Sequence, residues 1–129
     1  MSRREEIRVP GRPELSHAAD AVRANDTVFV AGILPVDPEG RLVGGDDTVA
    51  QARFVLEELG RILGAAGCAA RDVVKVSVYL TAVDDRPRIN PLRQAFFGDA
   101  RPASTLVEVS GLAILGAKVE IDAVAVVPA

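Results

Sequence analysis

Residues 118–127 alternate: Lys118, Glu120 and Asp122 take one parity, and Val119, Ile121 and Ala123 the other. A period of two marks a strand buried on one face only. Such a strand needs an apolar layer to lie on, and two helical patterns earlier in the chain supply it. Val49, Ala52, Leu56, Leu59, Leu63 and Ala66 recur at helical spacing. Thr48 with Gln51 three residues on reads as a capping box, and Asp46 and Asp47 suit the positive end of a helix. Gly67 closes it. Asn90 and Pro91 predict the start of a second helix, with Asn as cap and Pro at the first position, running to Phe97 and stopped by Gly98.

The remaining segments read as strands. Residues 3–9 form a first one, ended by Pro10, Gly11, Arg12 and Pro13. Residues 20–23 and 27–31 make a hairpin about Asn25-Asp26. The segment 35–45 is loop, with 41–43 pairing briefly. Residues 73–80 place Val74, Val76, Val78 and Leu80 on one face and Lys75, Ser77 and Tyr79 on the other; 105–109 and 118–127 complete the set. The expectation is an α+β fold: a sheet covered on one face by two helices, its other face packed on another subunit.

The chain's 129 residues fit one domain, 1–129. A domain of this size buries roughly two-thirds of its unfolded surface, so self-association aids stability. With 4% aromatics and no Trp, the core is built from Val, Leu, Ile and Ala. A net charge of −3 and a pI near 5.1 argue against a nucleic-acid partner. One cysteine cannot form an internal disulfide, the charged N-terminus is no signal peptide, and no apolar run is long enough for a membrane helix. The expected location is the cytoplasm.

Four groups merit attention as chemistry. Glu120 and Asp122 lie roughly 7 Å apart on one strand face, as an acid/base pair or as a solvated face with a Lys118 contact. His17 is the only histidine and stands in a loop before a strand, either exposed or a proton-transfer group. Asn90 is explained as a helix cap. Cys68, in a run of alanines with no basic neighbour, reads as a packing residue. The sequence holds no phosphate loop, dinucleotide fingerprint or nucleophile elbow, and one His with one Cys makes no common zinc site. No cofactor or metal is expected.

The segment 29–37, FVAGILPVD, resembles a signature of the reactive-intermediate deaminase (Rid, or YjgF-like) family. So do 72–80, DVVKVSVYL; 89–97, from Ile89-Asn90-Pro91 to Ala95-Phe96-Phe97; and 101–109, RPASTLVEV, with 119–123, VEIDA. The resemblance runs in order over about 19–126. It implies a chorismate-mutase-like fold, a six-stranded mixed sheet with two helices on one face, and a homotrimer whose sheets form a central barrel. Ligand sites would lie in clefts between subunits.

Archetypal members hydrolyse reactive enamines and imines such as 2-aminoacrylate, holding the substrate carboxylate with a motif arginine. That position aligns with Ser104 here, while a family serine aligns with Ala31 and a family tyrosine with Ala18, beside His17. Glu120 aligns with the family glutamate proposed to position or activate the attacking water, and Asn90 with an asparagine near the substrate. Gly32 keeps backbone close to the pocket, and the Ile33 carbonyl, Ser104 and the Leu106 amide complete the expected substrate contacts. Three readings follow. The first is a deaminase or hydrolase of altered specificity, with Glu120 as general base and His17 as second acid/base group, acting on a larger or uncharged enamine or imine. The second is a non-catalytic trimer binding a small molecule or protein. The third, an endoribonuclease, fits poorly with the acidic balance.

Overall fold

The computed structural model describes residues 3–129. Six strands form one mixed sheet: β1 (Arg4–Ile7), β2 (Ala21–Ala24), β3 (Thr27–Ile33), β4 (Val73–Leu80), β5 (Ala103–Glu108) and β6 (Val119–Val126), in the order β1-β2-β3-β6-β4-β5. All neighbours are antiparallel except β4 and β5, which are parallel. Two helices, α1 (Thr48–Ala65) and α2 (Arg86–Phe97), pack on one face.

The alternation in β6 does what its period requires. Val119, Ile121, Ala123 and Ala125 are buried beneath the helices with Val76, Val78 and Leu80 of β4 and Val28, Val30 and Ile33 of β3. From α1, Ala52, Val55, Leu56, Leu59, Ile62 and Leu63 close this core, and Ile89 and Phe97 join it from α2. Asn25 turns the hairpin at φ 54°, a conformation Asn tolerates. The brief pairing expected in the long loop is a single bridge, Val36 to Leu42, over a small cluster of Leu34, Val36 and Ala117.

Several local expectations are corrected. Asp47 caps α1: its side chain accepts from the N–H groups of Val49 and Ala50. Thr48 instead donates to Asp85, 2.7 Å away, and its side chain is buried. Gln51 is also buried; it donates to the carbonyls of Gly45 and Gly116 and accepts from the Lys118 N–H. Both polar residues join α1 to other segments, which a helix-end pattern cannot disclose.

The second helix begins four residues before Asn90, at Arg86, with Pro87 in its first turn. Pro91 lies inside the helix, and Asn90 is not a cap. In β4 a bulge falls between Val73 and Lys75, so Val73 is buried and Val74 is exposed, the reverse of simple alternation. β5 starts two residues earlier than expected, at Ala103. Lys118 precedes β6, and its Nζ is 3.1 Å from Asp46 Oδ1, so it makes no contact with Glu120.

The sheet face away from the helices carries Val22, Phe29, Tyr79, Val107, Val124 and Val126 by register. Phe29, Val107 and Val126 stay largely exposed there. No helix among the described residues is long and apolar enough to cross a membrane.

Candidate active site

Glu120 stands on the uncovered sheet face, directly across from Tyr79 of β4. On its other side β3 carries a bulge: Val30 pairs with Ala123 and Ile33 with Ile121, leaving Ala31 and Gly32 without register partners on β6. The glutamate carboxylate fills the space this creates. A Cβ built on Gly32 would lie 2.0 Å from Glu120 Oε2 and 2.9 Å from its Cδ, so only glycine admits the carboxylate here.

Glu120 is half-buried and makes no hydrogen bond or ion pair among the described residues. Burial pushes its pKa up from the ordinary glutamate value, and the neighbouring Asp122 charge pushes the same way. Asp122 is engaged otherwise: it accepts a 2.9 Å hydrogen bond from the Tyr79 hydroxyl. That bond raises the tyrosine pKa. The two carboxylates that looked alike in sequence therefore differ, one tied to a phenol and one free.

Beside Gly32 runs the loop that follows β1. Ser16, Ala18, Ala31, Gly32 and Ile33 line a shallow recess there. A buried ion cluster holds this loop in place. Arg12 meets Asp20 at 3.0 Å and Glu58 of α1 at 2.7 Å, and Arg61 adds a second contact to Glu58. Asp20 also accepts from the Val9 N–H. His17 is exposed on this loop, next to Ala18, and has no hydrogen bond among the described residues. The Ile33 side chain points into the core.

The other residues singled out in sequence gather elsewhere. Ser104 pairs with Val76 and Leu106 with Val78, which puts both on the helix-covered face of β5, the face opposite Glu120. Ser104 opens onto a hollow of about 670 Å³ at the end of α2, shared with Arg86, Asn90, Arg93 and Arg101. Arg93 is one of the residues that line it. Its Nη1 donates to Asn90 Oδ1 at 3.2 Å, and its Nη2 donates to Ser104 Oγ. Its Nε is buried without a partner among the described residues. Desolvation, reinforced by Arg86, lowers its pKa. Within one chain the proposed substrate residues thus form two groups: Glu120, Gly32 and Ile33 on one side, Asn90, Ser104 and Leu106 on the other.

Cys68 is buried, and burial pushes its thiol pKa up, with Asp72 adding to the shift, which suits packing and not nucleophilic work. Among the described residues no three His, Cys, Asp or Glu side chains cluster as a metal would need.

The family described as endoribonuclease L-PSP matches residues 12–127 of this chain. The chain belongs to that family, the Rid or YjgF-like proteins. A RutC family protein of Pyrococcus horikoshii is 41% identical over 108 residues, covering 83% of this chain and 84% of that protein. The 3-aminoacrylate deaminase RutC of Acinetobacter baylyi is 38% identical over 113 residues, covering 88% and 89%. The crystal structure of E. coli TdcF with bound serine superposes with a TM-score of 0.85 at 31% identity, over 95% of this chain and 98% of that one.

Arg93 is a residue of the hollow that the sequence reading does not single out. Its spacing of three from Asn90 puts the two on one helix face, but only once the helix is known to include both. An asparagine read as a helix cap carries no such signal. Alternation in β4 places Tyr79 on the uncovered face, but its bond to Asp122 depends on strand register.

Proposed function

We propose that the protein is a hydrolase that deaminates a small imine or enamine, with Glu120 as the general base for water. The observation that carries this reading is the free, half-buried Glu120 carboxylate held against Gly32. A raised pKa suits a group that takes a proton and later returns it near neutral pH. The kinship with a 3-aminoacrylate deaminase supports the reaction class.

The chemistry needs no redox partner. An enamine is first protonated at carbon to give the imine. Glu120 takes a proton from water as the water oxygen bonds to the imine carbon, and the nitrogen gains a proton. The tetrahedral carbinolamine then loses ammonia as its C–N bond breaks, and the hydroxyl proton leaves to yield the carbonyl. His17 is the second group proposed for these transfers, since its loop borders the recess at Gly32. The Ile33 carbonyl, the Leu106 amide, Asn90 and Ser104 supply substrate contacts. No metal or cofactor is invoked.

Glu120 and Ser104 belong to opposite faces of one sheet, so a single substrate meets both only where two copies adjoin. The exposed apolar face bearing Phe29, Val107 and Val126 supports such packing, and a homotrimer is the assembly proposed. Specificity is shifted from 2-aminoacrylate, because Ser104 stands where the resemblance expects the carboxylate-holding arginine. A binding module without chemistry would tie Glu120 into a hydrogen-bonded network, and Glu120 has no such partner among the described residues.

The test is hydrolysis of freshly generated 2-aminoacrylate, 2-iminopropanoate and longer imino acids by wild type and Glu120→Gln. Turnover lost in Glu120→Gln supports the assignment; equal rates in both proteins reject Glu120 as base. No rate above background on any imine turns the reading toward the binding module.

A further inference from the structure

The hollow at the end of α2 is lined by cationic side chains. Arg86, Arg93 and Arg101 border it, and no carboxylate lines it among the described residues. Several other arginines of this acidic chain find acids: Arg12 pairs with Asp20 and Glu58, Arg61 with Glu58, and Arg88, on α2 itself, with Asp85, whereas Arg53 and Arg71 make no ion pair among the described residues. None of the three arginines at the hollow makes an ion pair among the described residues.

Arg93 is also oriented. Asn90 and Ser104 each accept one of its N–H groups, and both are neutral, so they aim the guanidinium without discharging it. A guanidinium offers five N–H donors in a planar fork, and Nε here is buried and unbonded. Holding a half-buried cation next to other cations costs free energy unless something anionic completes it.

We infer that Arg93, positioned by Asn90 and Ser104, is the residue of this chain that receives the substrate's carboxylate, in place of the arginine that position 104 lacks. The ligand chemistry is a planar carboxylate bound by two parallel N–H donors, with Arg86 and Arg101 adding long-range attraction. This inference rests on the deaminase reading for the reacting end of the molecule. It replaces the expectation that a serine at 104 leaves the site without a carboxylate receptor. The charge is supplied from helix α2 instead of strand β5, which moves the anion and so changes the substrate length that fits.

Titration calorimetry of the full chain with 2-oxobutanoate and with its neutral isostere 2-oxobutanamide tests the inference. Wild type should bind the acid at least about tenfold more tightly than the amide. Arg93→Gln should weaken acid binding by about 10- to 100-fold and leave amide binding within a factor of about three. Arg93→Lys keeps the charge but not the fork and should fall between; it carries the test if Arg93→Gln fails to fold. The double variant Arg93→Gln, Ser104→Arg should regain part of the acid preference. Equal binding of acid and amide by wild type, or undiminished acid binding by Arg93→Gln, overturns the inference. So does no binding of either compound at millimolar concentration. Steady-state kinetics separate this from the reaction itself. Glu120-dependent turnover with an unchanged KM in Arg93→Gln rejects the receptor and keeps the deaminase. Arg93-dependent binding without turnover on any imine does the reverse.

Discussion

Gly32 and Glu120 occupy one another's space: a single methyl on Gly32 would reach to 2.0 Å of Glu120 Oε2. The conflicting atom is the end of a flexible side chain, so Gly32→Ala is relieved by swinging the carboxylate away. The expected outcome is a loss of about 10²-fold in kcat/KM with little change in thermal midpoint, since a displacement of about 1 Å suffices for such a loss. Parallel kinetics and thermal melts check it. A collapsed midpoint would mean that the glycine serves the fold and not the carboxylate.

Glu120→Gln should stabilise the protein near neutral pH. The folded-state pKa of Glu120 is raised, so the folded chain holds this proton more tightly than the unfolded chain does. Stability therefore falls as pH rises from the unfolded value of about 4.3 through the raised folded value. A neutral glutamine removes that loss. Melts at pH 4 and pH 8 should show the variant's advantage only at the higher pH.

Asp122 is the second cause of the Glu120 shift, after burial. Asp122→Asn removes the like charge and should move the acidic limb of the kcat/KM profile to lower pH. The Tyr79 hydroxyl retains an amide oxygen as acceptor, so the fold should persist. An unmoved limb would separate Asp122 from the working base.

The Arg12 cluster is buried: the side chains of Arg12 and Glu58 are 8% and 9% exposed. Glu58→Gln leaves Arg12 with Asp20 alone and Arg61 without its acid. A destabilisation of about 3 kcal/mol is expected from breaking a buried pair. Denaturant unfolding measures it. The loop carrying Ala18 and His17 should also become more open to proteolysis.

Phe29 is 51% exposed on the uncovered sheet face. Phe29→Glu puts a charge where a second copy is proposed to pack, and should shift sedimentation toward the monomer. Activity should fall with assembly, because the Glu120 and Ser104 groups lie on opposite faces of one chain. Full activity in a monomer would reject the shared site.

The periodic patterns of the chain determined a good deal. Alternation at Val119, Ile121 and Ala123 and helical spacing at Ala52, Leu56, Leu59 and Leu63 identified which faces are buried. These are local properties, since side-chain direction follows directly from a strand's or helix's own repeat. The family motifs went further and implied the six-stranded mixed sheet that the structure contains.

Tertiary structure decided whatever depends on register or on distant partners. Thr48 and Gln51 look like a cap in sequence, yet their partners are Asp85, 37 residues away, and Gly116 and Lys118, 65 and 67 residues away. The bulge at Ala31 and Gly32, which lies opposite Asp122 and beside Glu120, cannot be seen in either strand alone, because it is a mismatch between two. Asn90 illustrates the largest gap. Read locally, the pair Asn90-Pro91 is a helix start. In the fold the helix already runs from Arg86, the asparagine side chain is released from capping, and it turns to Arg93. Local sequence preferences describe how a segment folds when nothing else touches it; packing of α2 on α1 chose among them, and the bond from Arg93 to Ser104 of β5 forms part of the cationic hollow that results.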